Sequence, residues 1–174
     1  MLSFPYEPEV ARIVAARFIK NEGGRMNYTK LMKLMYLLER RSLVENNGPV
    51  IGGRYVAMDN GPLISEAYDA VKDDAWQDIE RDGYDVLWKG DPAETEDYLS
   101  EHEETMLDEL SRFFRNYSYG AMIEYTHDEG NCPEWKEHYT PNSSAQIPMR
   151  SIPGCDADEL EAYAREMSVF AAAR

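Results

Sequence analysis

The side chains best suited to chemistry lie close together about three quarters of the way along the chain. They are His127, Asp128, Glu129, Cys132 and His138. Zinc sites take their ligands from closely spaced pairs of cysteines or of histidines, and neither pairing occurs here. We therefore predict no metal site and no cofactor, and we expect a histidine in such a segment to serve as a hydrogen-bonding or capping residue.

Nucleophilic catalysis is the second chemistry that these residues allow. Cys132 could be activated by His127 or His138 if the fold brings them together. The sequence contains no G-x-S-x-G, P-loop or dinucleotide-binding glycine motif, so the common reaction classes lack their local signatures. We assign no catalytic residue. A hydrolase using His127 with a neighbouring carboxylate or Cys132 remains the alternative from another functional class.

Helices must position these side chains, because hydrophobic spacing predicts a mainly α, compact, single-domain bundle of about five to six helices. Apolar residues recur at helical spacing over 10–18, and Gly23-Gly24 ends that first helix. A longer helix is predicted over roughly 28–45, with Asn27 or Thr29 as its cap. Its apolar stripe is wide, which is typical of a helix packed on more than one side.

The middle of the chain predicts short strands or a small β-hairpin inserted into the bundle. Residues 52–58 resemble a strand that ends in a turn at 59–61, and Pro62 suits the first position of a new helix. Residues 73–97 are polar and acidic with a strand candidate at 84–88, which we leave open as a hairpin arm or a loop.

Capping signals place the helices of the last third. Ser100 and Glu103 form a capping box, and Ser118 is expected to cap a shorter helix. Residues 130–153 contain several prolines and little periodicity, so we predict irregular structure there. A last helix is predicted over 156–172. Its inward-facing residues are expected to be Leu160, Tyr163, Ala164, Met167 and Phe170.

Length and composition fit one cytoplasmic domain over residues 1–174. The chain is 43% hydrophobic, which is enough to build a core without disulfides or metals. Its first residues lack the basic and apolar regions of a signal peptide, and no apolar run approaches the roughly 20 residues of a membrane span. The two cysteines, Cys132 and Cys155, are expected to be reduced thiols.

The net charge of −15 is unevenly distributed along the chain. Residues 1–58 have a net charge of +4, residues 59–110 of −15 and residues 111–174 of −4. Such a surface repels a phosphate backbone, so we expect no direct nucleic-acid binding. The acidic block is either a solubilising surface or a surface complementary to a basic partner. Its candidate partner-binding residues are Asp73, Asp74 and Asp78.

Aromatic residues outside the helical stripes are candidate interface anchors. The chain has twelve tyrosines and three tryptophans. Those at helical spacing are expected to fill the core with their polar tips at the surface. Those at non-periodic positions better suit contact with a partner protein. They are Tyr117, Tyr119, Trp135 and Tyr139.

Three ordered motifs carry a resemblance to a known family. They are Lys30–Leu38 (KLMKLMYLL), Gly61–Tyr68 (GPLISEAY) and Tyr125–Gly130 (YTHDEG), the last followed by Trp135. In order and spacing they resemble the Panacea family of antitoxins, also described as SocA-like or phage-associated GepA-like. The resemblance covers about residues 8–140, which leaves a C-terminal extension with the final helix at 156–172.

The resemblance implies an antitoxin that binds and inactivates a cognate toxin encoded nearby. A relative that delivers its toxin to an ATP-dependent protease implies a second mechanism, in which this chain is a proteolytic adaptor. The resemblance does not fix the oligomeric state.

We expect the motif residues to serve the scaffold first. Thr126 and His127 stand where a helix ends, so they could satisfy free backbone carbonyls or each other. Gly61 and Pro62 would fix the entry to a helix. The full set of motif residues is Lys33, Tyr36, Gly61, Pro62, Tyr68, Thr126, His127 and Trp135.

Overall fold

Helices and short strands alternate along the chain in a computed structural model that describes residues 1–95 and 97–174. The helices are α1 Pro8–Asn21, α2 Tyr28–Glu45, α3 Ser65–Lys72, α4 Glu101–Phe113, α5 Tyr119–His127, α6 Pro133–His138 and α7 Ala157–Ala172. The strands are β1 Arg25–Asn27, β2 Tyr55–Met58, β3 Gly61–Ile64, β4 Ile79–Asp82, β5 Asp85–Trp88 and β6 Ala145–Gln146. Single 3-10 turns lie at Pro92–Thr95 and Met149–Ser151.

The predicted mainly α class is confirmed, since 53% of the structure is helical. The element count differs, because the described residues form seven helices and two small antiparallel sheets rather than five to six helices and one hairpin. One of those helices, α6, has only six residues, too few to show a hydrophobic period in the sequence.

Helix α2 lies at the centre of the core. Every residue from Lys30 to Glu39 is buried, so the wide stripe does reflect packing on several sides. Helices α1, α4 and α5 and strand β3 pack around it. Its N-cap is Asn27, whose side-chain oxygen accepts hydrogen bonds from the backbone N–H of Thr29 at 2.8 Å and of Lys30 at 3.3 Å. No helix of the described residues is both long and apolar enough to cross a membrane.

The two sheets each contain three strands, in the orders β1-β5-β4 and β3-β2-β6. The strand candidate at 84–88 is therefore confirmed as one arm of the β4–β5 hairpin. The expectation that Pro62 begins a helix is wrong, because Pro62 lies in β3 opposite Ala57 and α3 begins only at Ser65. Strand β3 is at the edge of its sheet, where a residue without an N–H is tolerated.

The last third of the chain confirms the caps and corrects the rest. The Ser100–Glu103 capping box forms, and Ser118 caps α5. Residues 130–153 are not wholly irregular, since they contain α6, β6 and a 3-10 turn. In α7, Leu160 and Ala164 are buried and Met167 is half-buried as expected. The expectation that Tyr163 and Phe170 also face inward is wrong, since these side chains are 40% and 59% exposed.

A buried carboxylate fixes the loop between α2 and β2. Glu39 is 0% exposed, and its two oxygens accept hydrogen bonds from the backbone N–H groups of Val50, Ile51 and Gly52 at 2.8–2.9 Å. The hydroxyl of Tyr55 donates a fourth at 2.8 Å. Since three of these donors belong to consecutive backbone groups, this one side chain determines the course of the loop into β2.

Candidate functional site

The three motifs that are distant in sequence converge on the β2–β3 hairpin. Lys33 of α2 is 1% exposed, and its amine donates a hydrogen bond to the Pro62 carbonyl at 2.9 Å. Burial lowers the pKa of Lys33 to about 7, and the nearby Cys132 opposes that shift. The first motif therefore holds the second through a single buried amine.

Gly61 allows α2 and α5 to approach the hairpin closely. Its φ of +101° is strained for any residue with a side chain. A Cβ there would lie 2.6 Å from Thr126 Oγ1 and 3.2 Å from Lys33 Cε. The hydroxyl of Thr126 is 3.0 Å from the Met122 carbonyl within α5, to which it donates. The Thr126 hydroxyl is thus bonded to the backbone of its own helix, and its close approach to the hairpin leaves room only for glycine at position 61.

An aromatic stack of His127, Trp135 and Tyr139 braces the tip of the hairpin. The His127 and Trp135 rings are parallel within 6° with centroids 3.8 Å apart, and Trp135 stacks on Tyr139 at 4.7 Å. Trp135 Nε1 donates to the Met58 carbonyl at 2.9 Å, and the Tyr139 hydroxyl donates to Asp59 at 3.0 Å. Trp135 is buried and Tyr139 half-buried, so the structure places both in this brace.

The environment of His127 gives a stability prediction. His127→Ala should lower the free energy of unfolding by about 1–2 kcal/mol, since it removes the ring that stacks on Trp135. Urea denaturation measures this. His138→Ala is the control, because the His138 ring stacks on no other ring within residues 1–95 and 97–174. On the scaffold interpretation the folded variant still binds its partner. A fully stable variant that lost partner binding would instead place His127 in a functional site.

His127 also makes the free energy of unfolding depend on pH. Burial, and then the charge of Lys33, lowers the pKa of His127 below 6.5. As the pH falls, His127 is protonated in the unfolded chain before it is protonated in the folded protein. The contribution of neutral His127 to stability is therefore complete above about pH 6.5 and is lost at lower pH. His127→Phe keeps a ring against Trp135 but should remove this part of the pH dependence.

A buried ionic cluster joins α6 to α2. Glu134 is 0% exposed and accepts hydrogen bonds from the Tyr36 hydroxyl at 2.8 Å and from Arg40 Nε at 2.7 Å. Tyr36, the motif tyrosine, is thereby explained as an anchor for α6. Glu134 could not be identified from the sequence, because the segment that contains α6 shows too little hydrophobic periodicity to predict a helix.

A small pocket opens between the first turns of α2 and the β2–β3 turn. Its volume is about 170 Å³. Lys33 and the motif residue Tyr68 line it, together with Tyr28, Asp59 and Asn60. The pocket therefore collects polar groups from two of the three motifs, which the sequence alone did not reveal.

The alternative catalytic arrangement lacks an activated thiol. Cys132 is fully buried, and burial raises the pKa of its thiol to about 12, so it is protonated at neutral pH. His138 is committed elsewhere, with Nδ1 3.1 Å from the Glu134 carbonyl and Nε2 3.4 Å from Ser151 Oγ. Within residues 1–95 and 97–174, no group of three or more metal-ligating side chains is assembled.

The other predicted anchors, Tyr117 and Tyr119, lie at the corner between α4 and α5. We define the aromatic corner as Phe113, Phe114, Tyr117, Tyr119 and Tyr125. Phe113 is 62% exposed and Tyr119 is 55% exposed. Phe113 is not among the anchors predicted from the sequence, because it stands at helical spacing with Met106, Leu107 and Leu110 and so resembles a core residue.

Part of the acidic block is paired with basic residues within the molecule. Asp73 and Asp74 are exposed, and Asp74 lies 3.5 Å from Arg81 Nε, while the less exposed Asp78 forms an ion pair with Arg12. Similar pairs join the N-terminal third to the block: Arg17–Glu104, Arg25–Asp82, Arg25–Asp85, Arg41–Glu109 and Arg54–Glu66. The basic N-terminal third and the acidic block therefore partly neutralise each other within the folded protein.

Comparison with known proteins gives one result. The family model described as "Antitoxin SocA-like, Panacea domain" matches residues 31–136, which contain all three motifs from Leu31 onward and end just beyond Trp135. No curated protein and no solved structure shows a significant match.

Proposed function

Because this chain belongs to the SocA-like, Panacea-domain antitoxin family, we propose that it neutralises a cognate toxin by binding it directly. The toxin would be encoded nearby, and the complex would form in the cytoplasm. The two free thiols, Cys132 and Cys155, support that location. The functional unit would be the whole chain of residues 1–174.

The exposed aromatic corner is the observation that carries this proposal. Phe113 packs edge-on against Phe114 at 4.7 Å and stacks on Tyr117 at 6.1 Å, and Tyr125 closes the cluster against Phe114 at 4.9 Å. A large aromatic ring that is held in place yet mostly exposed loses little conformational freedom on binding. Aromatic residues of this kind are enriched among the residues that dominate binding energy.

The exposed acids have a smaller part in the proposal. Asp73 and Asp74 would attract a basic partner and speed its association, because rim charges act mainly on the rate of encounter. Asp78 is a weaker candidate than the sequence indicated, since its carboxylate is already paired with Arg12.

Blocking and proteolytic delivery differ in the fate of the toxin. A blocked toxin accumulates in a stoichiometric complex, whereas a toxin delivered to an ATP-dependent protease disappears while the adaptor remains. Growth rescue with neither a complex nor toxin loss would indicate enzymatic reversal, as expected for the hydrolase alternative. Co-expression with the adjacent gene's product, followed by co-purification and quantification of both proteins, separates the three.

Substitution at the aromatic corner tests the interface. Phe113→Ala should weaken the complex at least about tenfold and leave the fold intact, because the ring is largely exposed. Phe170→Ala is the matched control, since Phe170 is 59% exposed but lies on α7, away from this corner. Equal affinities for the two variants, measured by titration of the purified proteins, would contradict the proposed surface.

A further inference from the structure

We propose that the pocket above Lys33 takes one aspartate or glutamate side chain of the partner protein, with its carboxylate bound by the Lys33 amine. This inference rests on the proposed function, because it names the chemistry by which the toxin is recognised. It assigns Lys33 a binding role in addition to its support of the hairpin.

The amine of Lys33 has donors to spare. A lysine ammonium carries three N–H groups. Among the described residues, the Pro62 carbonyl is the one acceptor within hydrogen-bonding distance of Lys33 Nζ. Within residues 1–95 and 97–174, no carboxylate forms an ion pair with Lys33, although Lys33 lines the pocket. A carboxylate entering the pocket would supply the missing acceptor and the missing charge.

Lys30 shows what a satisfied buried lysine looks like in the same helix. It is 4% exposed, and its amine donates to the Phe114 carbonyl at 2.8 Å and to the Arg115 carbonyl at 3.3 Å. Glu22 also forms an ion pair with it at 3.0 Å. Lys33, one turn further along α2, lacks the carboxylate and has one carbonyl instead of two.

The walls of the pocket suit an anion of side-chain size. A volume of about 170 Å³ lies below the roughly 300–1,000 Å³ of small-molecule sites, so one side chain fits better than a metabolite. The pocket lies at the positive N-terminal end of α2 beside Tyr28 and Thr29, and the side chains of Asn60 and Tyr68 provide further donors.

Other charged and titratable groups surround Lys33. Asp59 lines the pocket from the hairpin turn, and its Oδ1 accepts bonds from the Tyr139 hydroxyl and the Asn142 N–H. Its carboxylate keeps its negative charge, which the Lys33 amine must outweigh for an anion to bind. His127 from α5 and Cys132 before α6 lie near enough to the amine to interact with its charge. Burial raises the pKa of Cys132 to about 12 and lowers that of His127, so neither adds a charge near neutral pH.

A capped glutamate, N-acetylglutamate N-methylamide, is the probe, and the methionine methyl groups are the reporters. Two of the nine methionines, Met32 and Met58, line the pocket. In ¹³C-methyl spectra the probe should shift these two signals, while capped glutamine should not. No shift up to ~100 mM probe, equal shifts with capped glutamine, or tighter binding of inorganic phosphate would overturn the proposal.

Two isosteric variants locate the binding group. Lys33→Met keeps the volume of the side chain and removes the amine, and it should weaken probe binding at least about tenfold. Lys30→Met is the matched control and should bind the probe as the wild type does. If Lys33→Met fails to fold, Tyr68→Phe and Asn60→Ala remove wall donors near the pocket mouth and should each weaken binding severalfold.

Binding should also weaken as the pH rises. The carboxylate binds the protonated amine, and the pKa of Lys33 is about 7, so the apparent dissociation constant at about pH 8 should be about tenfold that at about pH 6. Lys30→Met should keep this dependence. A flat profile between these values would overturn the assignment of the charge to Lys33.

The toxin complex identifies the occupant. Lys33→Met should weaken co-purification with the toxin at least about tenfold. Lys89→Met should not, because Lys89 is exposed and lies outside both the pocket lining and the aromatic corner. If Lys33→Met kept the complex unchanged while the wild-type protein bound the probe as expected, the occupant of the pocket would not be a side chain of the toxin. Failure of the wild-type protein to bind any neighbouring product would contradict the proposed function instead, while the probe alone decides whether the pocket prefers a carboxylate.

Discussion

Glu39→Ala is expected to lower the free energy of unfolding by about 3–5 kcal/mol, and the melting temperature by roughly 10 °C. The substitution leaves three consecutive backbone N–H groups and the Tyr55 hydroxyl without their acceptor, in a site with no access to water. Each unsatisfied buried donor costs about 1–3 kcal/mol, although neighbouring penalties overlap as the loop relaxes.

Urea denaturation followed by circular dichroism measures this loss. Glu45→Ala in the same helix is the control, because Glu45 is exposed and its pair with Arg41 contributes about 0.5 kcal/mol or less. Tyr55→Phe removes one of the four donors and should cost about 1 kcal/mol. If Glu39→Ala were no worse than Tyr55→Phe, the loop from Val50 to Gly52 would not depend on this carboxylate.

Gly61→Ala is expected to cost about 2–4 kcal/mol, from backbone strain together with a collision. The φ of +101° disfavours any Cβ, and this one would lie 2.6 Å from Thr126 Oγ1. Gly83→Ala separates the two effects. Gly83 has a φ of +63°, and apart from its chain neighbours none of the described residues comes within 4 Å of an added Cβ. We expect Gly83→Ala to cost only about 1 kcal/mol.

A double-mutant cycle isolates the collision. In a Thr126→Ala background the hydroxyl is absent, so Gly61→Ala should cost at least about 1 kcal/mol less than it does in the wild type. Equilibrium unfolding of the four proteins gives the coupling energy. Additive losses would show that the close approach of α5 to the hairpin is not what requires glycine at this position.

Local signals predicted the elements that carry their own start and stop residues. The capping box at Ser100 and the cap at Asn27 act within a few residues of the chain, so their effect can be inferred from the sequence. The wide apolar stripe of α2 likewise predicted that it packs on more than one side. Each of these features depends on neighbours in the sequence rather than on distant contacts.

Three features of the structure depend on tertiary contacts and could not be predicted from the sequence: the position of Pro62, the burial of Glu134 and the candidate pocket. Pro62 has the preferences of a helix start, but pairing with β2 keeps it in an edge strand. Glu134 has no local feature that distinguishes it from other surface acids, and only the packing of α6 against Tyr36 and Arg40 buries it. The candidate pocket was equally hidden, because its walls come from residues about thirty positions apart.

The ion pairs between the first helix region and the acidic block have a consequence for dissecting this protein. A fragment limited to residues 31–136, the part that is recognisable as family sequence, would have a net charge of −14 and lack Arg12, Arg17 and Arg25. Asp78, Asp82, Asp85 and Glu104 would then repel one another without their counterions. We therefore expect the segment before residue 31 to act as a built-in source of counterions, and the smallest independently folding unit to be longer than the stretch that identifies the family.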